Sequence, residues 1–286
     1  MIWQTTRFEI DLNRPKLMGI VNVTPDSFSD GGQHGSTTSA LAHCERLILE
    51  GADILDIGGE SSRPGAIALS LEDELARVLP VLQEAVRLGV PVSVDTYKPQ
   101  VMQAALDLGV DIINDIWALR WRAEGSDEGG AQVVAAHPNC GVCLMHMHQE
   151  PKTMQVQPMT GDVVPQVLSF LELVAQDLLG LGIEKSRVLL DPGIGFGKTV
   201  EQNFSLLRRQ AELLRAGFPL LIGWSRKSSL AGMVSDPAAG QTLTAQERLA
   251  PSLAAAVLAA ERGASVLRVH DVKETVQALR VLEAIR

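Results

Sequence analysis

An apolar run that ends in an acid and a tight turn, Val188-Leu189-Leu190-Asp191-Pro192-Gly193, sets the pattern of this chain. Three further runs end in the same manner at polar residues or glycine: Pro91-Val92-Ser93-Val94-Asp95, Ile112-Ile113-Asn114-Asp115 and Leu220-Leu221-Ile222-Gly223. Runs of this length predict strands buried on both faces, and packing does not explain an acid or amide where they end. Four such ends predict one site built by several strands, as in a closed parallel barrel.

Strand-like and helix-like runs alternate along the chain. The predicted strands are Leu17–Val23, Ile54–Ile57, Pro91–Val94, Asp111–Asn114, Gly141–Met147, Arg187–Asp191, Pro219–Gly223 and Ser265–Val269. The predicted helices are Thr37–Glu50, Leu71–Arg87, Lys98–Leu108, Ala131–Ala136, Val163–Leu179, Val200–Arg215, Ala245–Arg262 and Asp271–Ile285. This alternation predicts an α/β fold, and eight units favour a single (β/α)8 TIM-barrel domain, residues 1–286, with its active site at the carboxyl ends of the strands.

Composition narrows the class of protein. Of the 286 residues, 46% are hydrophobic, and the net charge is -9. An acidic chain without a basic stripe gains little from counterion release, which argues against nucleic acid as a partner. No apolar run approaches the roughly 20 residues of a membrane helix, and Met1–Arg7 lacks a signal-peptide pattern. The 3 cysteines suit a reducing compartment, so we expect a cytoplasmic protein without a membrane partner.

Asp95, Asn114 and Asp191 form the acidic and amide half of the predicted site. A carboxylate accepts hydrogen bonds, and an amide both donates and accepts them. Such groups suit the edge of a nitrogen heterocycle with a guanidine-like N–C–NH2 face. A second interpretation stays open, because aspartates also bind Mg²⁺ or Ca²⁺.

Cationic residues follow the last two predicted strands, where barrels often bind phosphate. Arg226 and Lys227 lie in Gly223-Trp224-Ser225-Arg226-Lys227-Ser228, and Arg268 and His270 end the eighth strand. Residues two apart on a strand share a face, which places Arg268 and His270 to hold one anion. An ordinary basic surface patch is the alternative.

Three glycine-rich loops complete the predicted rim. In Asn22-Val23-Thr24-Pro25-Asp26-Ser27-Phe28-Ser29-Asp30-Gly31-Gly32, Phe28 has no obvious core and either closes over a ligand or tucks into a surface turn. Gly58-Gly59-Glu60-Ser61-Ser62-Arg63-Pro64-Gly65 offers phosphate ligands, unless Arg63 pairs with Glu60. Asp191-Pro192-Gly193-Ile194-Gly195-Phe196-Gly197-Lys198 fits neither GxGxxG nor GxxxxGKS/T, and its backbone would approach a flat ring beside Phe196.

Two short motifs raise other chemistry. His146-Met147-His148 has the spacing of a zinc pair, but a lumen-facing Met145 and Met147 would turn both histidines towards the helices. Cys140-Gly141-Val142-Cys143 matches CxxC, yet the chain has no second pair and the motif runs into a strand. We expect neither motif to bind metal.

Five motifs together resemble those of bacterial dihydropteroate synthases, a pterin-binding family. They are the three rim loops above, Ser225-Arg226-Lys227-Ser228, and Arg268-Val269-His270-Asp271-Val272, and they run in order from about Met18 to the carboxyl terminus. The resemblance implies a cytoplasmic, Mg²⁺-dependent, homodimeric transferase of folate biosynthesis. Such an enzyme joins 4-aminobenzoate to the methylene of 6-hydroxymethyl-7,8-dihydropterin diphosphate and releases diphosphate.

The same resemblance implies roles by motif. Asp95, Asn114 and Asp191 would bind the pterin edge, Met145 and Phe196 would line the ring, Gly223 would let it approach, and Lys227 would lie between the two substrates. Ser62, Arg63, Arg268 and His270 would hold diphosphate, with Asn22 on Mg²⁺, while Phe28, Pro64 and Ser228 would shape the aminobenzoate pocket. Lys227, Arg268 and Asp95 are the catalytic candidates. An aniline amine is neutral at pH 7 and a pterin ring spreads positive charge, so we expect a dissociative displacement driven by leaving-group stabilisation.

The chain departs from the family pattern in four places. Ser62 stands where Thr is usual, His148-Gln149 replaces a common Gln-Gly, and the segment Arg120–Gly130 looks long. Pro251 replaces a usual Gly and either kinks the seventh helix or begins it. Two alternative functions remain: a pterin-binding methyltransferase that works with a corrinoid protein and does not need the cationic set, and a non-catalytic paralogue, which loss of the motif loops would favour.

Overall fold

The computed structural model describes residues 1–23, 32–61, 68–122, 129–150, 153–154, 156–234 and 243–285, with the backbone alone for 32–36. Within these ranges the strands are β1 Ile2–Gln4, β2 Glu9–Asp11, β3 Lys16–Asn22, β4 Ile54–Gly58, β5 Val92–Asp95, β6 Ile112–Asp115, β7 Gly141–Met145, β8 Val188–Asp191, β9 Leu221–Ile222 and β10 Val266–Val269. The α-helices are α1 Gly32–Glu50, α2 Leu71–Ala85, α3 Pro99–Asp107, α4 Gly130–Ala136, α5 Val163–Gly180, α6 Val200–Arg208, α7 Gln210–Leu213, α8 Ser228–Val234, α9 Leu249–Glu261 and α10 Val272–Glu283.

Strands β3 to β10 form one parallel sheet in the order β8-β7-β6-β5-β4-β3-β10-β9. A parallel bridge between Leu190 and Leu220 joins its two outer strands, and the amide of Leu190 donates to the carbonyl of Pro219 at 3.0 Å. The sheet is therefore closed, and the predicted eight-stranded barrel is confirmed.

Side chains alternate along each barrel strand between the lumen and the surrounding helices. A lower lumen layer is fully buried and mostly apolar, with Ser93 from β5 as its polar member; its apolar residues are Met18, Ile54, Ile112, Cys143, Leu189, Leu221 and Val266. Two residues further along several strands, the same face carries polar groups, among them Asp56, Asn114, Asp191 and Arg268. Chemistry is thus confined to the carboxyl end of a lumen that is filled mostly with hydrocarbon below.

An antiparallel hairpin of β1 and β2 covers the amino end of the barrel. Trp3 is fully buried against the lower lumen layer, and its indole Nε1 donates to the carbonyl of Arg187 at 2.9 Å. The sequence analysis did not predict this hairpin, because three-residue strands carry almost no periodicity.

Two helical predictions need correction, and one helix was not predicted. The helix predicted for Val200–Arg215 breaks at Arg209 into α6, α7 and a short 3-10 turn, and α8 follows β9 where no helix was predicted. The helix predicted for Ala245–Arg262 becomes a 3-10 turn, Gln246–Arg248, followed by α9. Pro251 lies in the first turn of α9, where its missing N–H costs no hydrogen bond, so it begins the helix and does not kink it.

Helix α5 is long and apolar enough to cross a membrane by length and composition alone. In the structure it packs one face, including Val167, Leu171 and Ala175, into the hydrophobic core. Asp162 caps its amino end by accepting from the amide of Val164 at 3.1 Å.

Candidate active site

Asp95, Asn114 and Asp191 lie in the last two residues of three different barrel strands, β5, β6 and β8, and they face the same hollow at the carboxyl end of the lumen. Asn114 is 6% exposed and Asp191 is 8% exposed. Their separation in the chain disappears because parallel strands bring their carboxyl ends to one rim. The convergence expected from the sequence is therefore present in the fold.

Asp56, which was not among the predicted site residues, is fully buried in β4 and lies at the centre of the polar layer. Its Oδ2 accepts from Asn114 Nδ2 at 3.1 Å and from Arg268 Nε at 2.5 Å. Because Nδ2 of Asn114 donates to Asp56, Oδ1 of Asn114 is the atom that can face a ligand. An acid inside the apolar run Ile54-Leu55-Asp56-Ile57 was the available signal.

Arg268 lies deeper than the sequence analysis placed it. Its Nε pairs with Asp56 and its Nη2 donates to Asp95 Oδ2 at 2.7 Å, so the guanidinium bridges two carboxylates of the heterocycle set. His270, expected beside it, instead has Nδ1 3.0 Å from Ser225 Oγ. In the described residues, the two expected anion ligands therefore have different neighbours.

Burial dominates the acid–base properties of the hollow. It raises the pKa of Asp95 to about 7, against the opposing effect of Arg268. It also raises the pKa of Asp191, which is partly offset because Asp191 Oδ1 accepts from the amide of Gly193 at 2.7 Å. The Arg268 guanidinium beside Asp56 and Asp95 keeps a raised pKa despite its burial. The hollow thus holds one acid, Asp95, with a pKa near neutrality and a second, Asp191, with a raised pKa, beside a permanent cation.

A flat, apolar wall borders the polar groups. Met145, Met147 and Phe196 are buried in one cluster with Ile116 and Met154. The Lys227 ammonium lies 4.4 Å from the centroid of the Phe196 ring, within cation–π distance. A Cβ added at Gly223 would lie 3.8 Å from Arg268 Cβ, which is an ordinary van der Waals contact and places Gly223 beside Arg268.

Arg226, which was expected in the phosphate loop, is used elsewhere. Its guanidinium donates to both carboxylate oxygens of Asp271, at 3.0 and 2.5 Å, and its amide donates to Ser252 Oγ at 2.9 Å. Ser228, expected in the aminobenzoate pocket, is the first residue of α8 and is exposed. Lys227, between them, is the cation of this loop that contacts the hollow.

Four predicted ligands, Phe28, Ser62, Arg63 and Pro64, lie outside the described residues. Gly58 and Gly59, which precede Ser62 and Arg63 in the chain, pack against other protein residues. A Cβ at Gly58 would lie 3.2 Å from Asp95 Cβ, and one at Gly59 would lie 2.7 Å from Val78 Cγ1. Their close approach is to the barrel wall, which fixes the level at which the loop leaves the strand.

The histidine and cysteine motifs are packed into the protein. The His146 ring lies edge-on to Phe170 of α5 at 4.9 Å, and burial lowers its pKa to about 2. Cys140 and Cys143 are both buried free thiols. Among the described residues no cluster of three or more His, Cys, Asp or Glu side chains could hold a metal ion.

Mg²⁺ fits this rim only as an ion that shares ligands with a substrate. Asn22 ends β3 and is half-buried, and it offers one amide oxygen. Mg²⁺ in enzymes commonly takes one or two protein oxygens and fills its octahedron with water and substrate phosphate. Asn22 is suited to that arrangement and not to a site made of protein ligands alone.

Comparisons with known proteins give one result. The profile of the pterin binding enzymes matches residues 18–270. The chain is 49% identical over 289 residues to the dihydropteroate synthase of Neisseria meningitidis serogroup B, which covers 99% of this chain and 97% of the relative. It is 50% identical over 279 residues to that of Escherichia coli K12, with coverages of 96% and 93%.

Solved structures give the same result. The dihydropteroate synthase of Xanthomonas albilineans with 4-aminobenzoic acid superposes with a TM-score of 0.88 at 45% identity, covering 100% of this chain and 98% of that one. The enzyme of Burkholderia cenocepacia complexed with 7,8-dihydropteroate superposes with a TM-score of 0.86 at 45% identity, with coverages of 100% and 96%.

Proposed function

The chain belongs to the dihydropteroate synthase branch of the pterin-binding enzymes, and we infer that it condenses 6-hydroxymethyl-7,8-dihydropterin diphosphate with 4-aminobenzoate to give 7,8-dihydropteroate and diphosphate in folate biosynthesis. The observation that carries this inference is the joint position of Asp95, Asn114 and Asp191 around one buried hollow, with Lys227 at its mouth. The corrinoid-dependent methyltransferase is disfavoured because the relatives named above are synthases over nearly the whole chain.

The pterin would enter with its N–C–NH2 edge downwards. Asp95 and Asp191 offer acceptors for its N–H groups, and the Asn114 amide, held by Asp56, offers Oδ1 as a further acceptor. Met145 and Phe196 would cover the ring faces. A carboxyl with a pKa of about 7, such as Asp95, is able to lose its proton when the heterocycle brings donors to it.

Bond breaking would take place above this edge. As the C–O bond to diphosphate lengthens, the pterin methylene becomes positive, and the buried carboxylates of Asp95 and Asp191 stabilise that charge. Lys227 would stabilise the departing diphosphate from the mouth of the hollow. The neutral amine of 4-aminobenzoate then attacks the methylene and loses its proton to solvent, so no strong base is needed.

Ser62, Arg63, His270 and Arg268 remain proposed diphosphate ligands, while Phe28, Pro64 and Ser228 remain proposed aminobenzoate contacts. Arg268 requires one movement, because Nη2 must leave Asp95 while Nε stays on Asp56. Mg²⁺ held by Asn22 and the diphosphate would neutralise charge on the leaving group.

A direct assay tests the reaction. Diphosphate release from the dihydropterin diphosphate is measured with and without 4-aminobenzoate, and with and without Mg²⁺. We expect release to depend on both. Equal release in the absence of aminobenzoate would mean that the enzyme hydrolyses the pterin ester, and no release under any condition would refute the assignment.

We also propose that the enzyme is a homodimer that assembles through α9. One side of this helix is apolar and exposed or half-buried, and consists of Ala250, Leu253, Ala254, Val257 and Leu258. Light scattering after gel filtration should give twice the chain mass for wild type and less for Leu258→Glu. Leu49→Glu is the matched control, since Leu49 is 87% exposed on α1. A monomeric wild type at micromolar concentration would exclude the dimer.

A cytoplasmic location is proposed on chemical grounds. Cys44, Cys140 and Cys143 are all buried and none is bonded to another. Proteins in oxidising compartments usually pair such residues.

A further inference from the structure

Lys198 is a buried cation that the substrate-binding roles above do not use. Its side chain ends against three main-chain carbonyls, those of Gly193 at 2.8 Å, Phe196 at 3.1 Å and His146 at 3.4 Å. The residue is only 3% exposed. Two of these carbonyls belong to the loop after β8 and the third to the exit of β7, so one ammonium joins two segments of the rim.

The number of protons on Lys198 matches the number of its partners. An ammonium has three N–H donors, and all three hydrogen-bond acceptors found in the described structure are carbonyls. A neutral amine has two N–H donors and would give up one of these three hydrogen bonds, although the Gly193 carbonyl also accepts from the amide of Phe196 at 3.1 Å. The lost hydrogen bond to a buried carbonyl favours the charged form, while burial opposes it and lowers the pKa of Lys198 to about 7.

The segment that Lys198 holds, Gly193–Gly197, shapes two walls of the hollow. The amide of Gly193 donates to Asp191, and the Phe196 ring lies under the Lys227 ammonium. This segment fits tightly against β7, because a Cβ at Gly193 would lie 1.9 Å from the His146 carbonyl oxygen. Asn203 fixes its other side, with Oδ1 accepting from the amide of Gly195 at 2.8 Å.

We propose that Lys198 is a positioning residue for the pterin site: its ammonium fastens the loop Gly193–Gly197 to the exit of β7 and thereby sets the position of the Phe196 ring and the hydrogen bond to Asp191. This role deepens the proposed function and rests on it only for the substrate. The fastening itself is a property of the unliganded protein.

The charges that face Lys198 come from several elements. Asp191 on β8 favours the ammonium, and Lys227 in the loop after β9 disfavours it. The His146 ring points to α5 and stays neutral, because its pKa is lowered to about 2. Asp191 is thus the facing acid that opposes loss of the Lys198 proton.

Hydrogen exchange in the absence of substrate tests the fastening. The Lys198→Met variant keeps a long apolar chain and removes the donors. We expect amides in Gly193–Gly197 to exchange about tenfold faster or more, with the barrel strands unchanged. Lys185→Met is the matched control. Lys185 precedes β8, the strand that Lys198 follows, and its ammonium lies 4.8 Å from the centroid of the Phe218 ring.

Kinetics then tests the consequence for the substrate. In Lys198→Met we expect the KM for the dihydropterin diphosphate to rise about tenfold, while the KM for 4-aminobenzoate and kcat change by less than about threefold. Lys198→Gln, with two N–H donors, should fall between wild type and Lys198→Met. If Lys198 merely stabilised the barrel, its substitution would speed hydrogen exchange in all strands. The KM values of wild type, Lys198→Gln and Lys198→Met would then not rise in that order.

Wild type supplies a measurement that needs no variant. Protection of Gly193–Gly197, corrected for intrinsic exchange rates and compared with β4 and β6, should fall as the pH rises from 6 to 9. Unchanged loop exchange in a folded Lys198→Met variant, or loop protection independent of pH in wild type, would overturn the proposal. Altered loop exchange in an enzyme that fails to form dihydropteroate would refute the proposed function and leave the fastening intact.

Discussion

Arg268→Ala is the substitution whose consequences follow most directly from the geometry. The guanidinium compensates Asp56, which is fully buried, and Asp95, whose side chain is 16% exposed. Removing it leaves Asp56 with one hydrogen bond, from Asn114, and no cation within bonding distance among the described residues. A buried carboxylate in that state is strongly unfavourable.

The size of the effect can be worked out from this contact. Breaking a buried ion pair on one side costs about 3–5 kcal/mol, and about 1 kcal/mol moves the Tm of a domain of ~150–250 residues by roughly 2–4 °C. We therefore expect Arg268→Ala to lower the Tm by about 6–20 °C. Replacing both charges of the Asp56 pair, as Asp56→Asn with Arg268→Ala, should restore more than half of the loss. The asparagine side chain carries no charge, and Asp95, whose pKa rises further when Arg268 is absent, keeps its proton and is neutral.

The assay combines thermal unfolding with steady-state kinetics. Arg262→Ala is the matched control, since this half-exposed arginine precedes the same strand and pairs with Glu261 at 3.5 Å. Kinetically, we expect turnover of Arg268→Ala to fall strongly, with a milder loss of pterin binding. The reasoning fails if the Tm of Arg268→Ala stays within 2 °C of wild type, or if the double variant is the less stable of the two. Unchanged turnover would remove Arg268 from a role in bond breaking.

Three further predictions concern other described residues. Asp95 should titrate with a midpoint near 7 in carboxyl ¹³C NMR, and the midpoint should rise further in Arg268→Ala, since Arg268 lowers this pKa; a midpoint near 4 would contradict the burial argument. Burial raises the pKa of Asp115 to about 7, so between about pH 4 and pH 7 the folded state keeps a proton that the unfolded state loses. The free energy of unfolding should therefore fall over this pH range. Denaturant titrations at several pH values should show this fall in wild type and a smaller one in Asp115→Asn. Gly193→Ala should weaken pterin binding and lower the free energy of unfolding by roughly 4 kcal/mol or more, because its Cβ would clash with the His146 carbonyl. Gly182→Ala is the control, since Gly182 also has a positive φ but no atom within 4 Å of the added Cβ, and it should lose only about 1–2 kcal/mol. Equal losses in chemical denaturation would contradict the clash with His146.

Much of the barrel could be read from the chain because its signals are local. Apolar runs such as Ile112-Ile113 predict buried strands, and glycines after helices predict the turns that return to the sheet. Gly51, Gly89, Gly109, Gly182 and Gly263 all adopt positive φ as those turns require. The hairpin around Trp3 was missed because its signal is a long-range contact with Arg187, in the turn before β8, and not a period in the sequence.

The candidate site divides in the same manner. The identity of Asp95, Asn114, Asp191 and Lys227 as rim residues could be predicted, because each stands near the end of an apolar strand or in the loop that follows one. Which of them pair could not be predicted. Arg268 was assigned to an anion with His270, but the fold brings it to Asp56, which is 212 positions away in the chain.

The sequence by itself determined the alternation of strands and helices, the polar residues at their ends and the motifs of the family, because each of these depends on short-range periodicity and residue type. Only the tertiary structure decided that Asp56 bridges Asn114 and Arg268, that Arg226 is taken by Asp271, and that Lys198 joins two loops through carbonyl oxygens. Closure of the barrel makes neighbours of residues from different strands, and burial favours pairing among their polar groups, which no local pattern in the chain records.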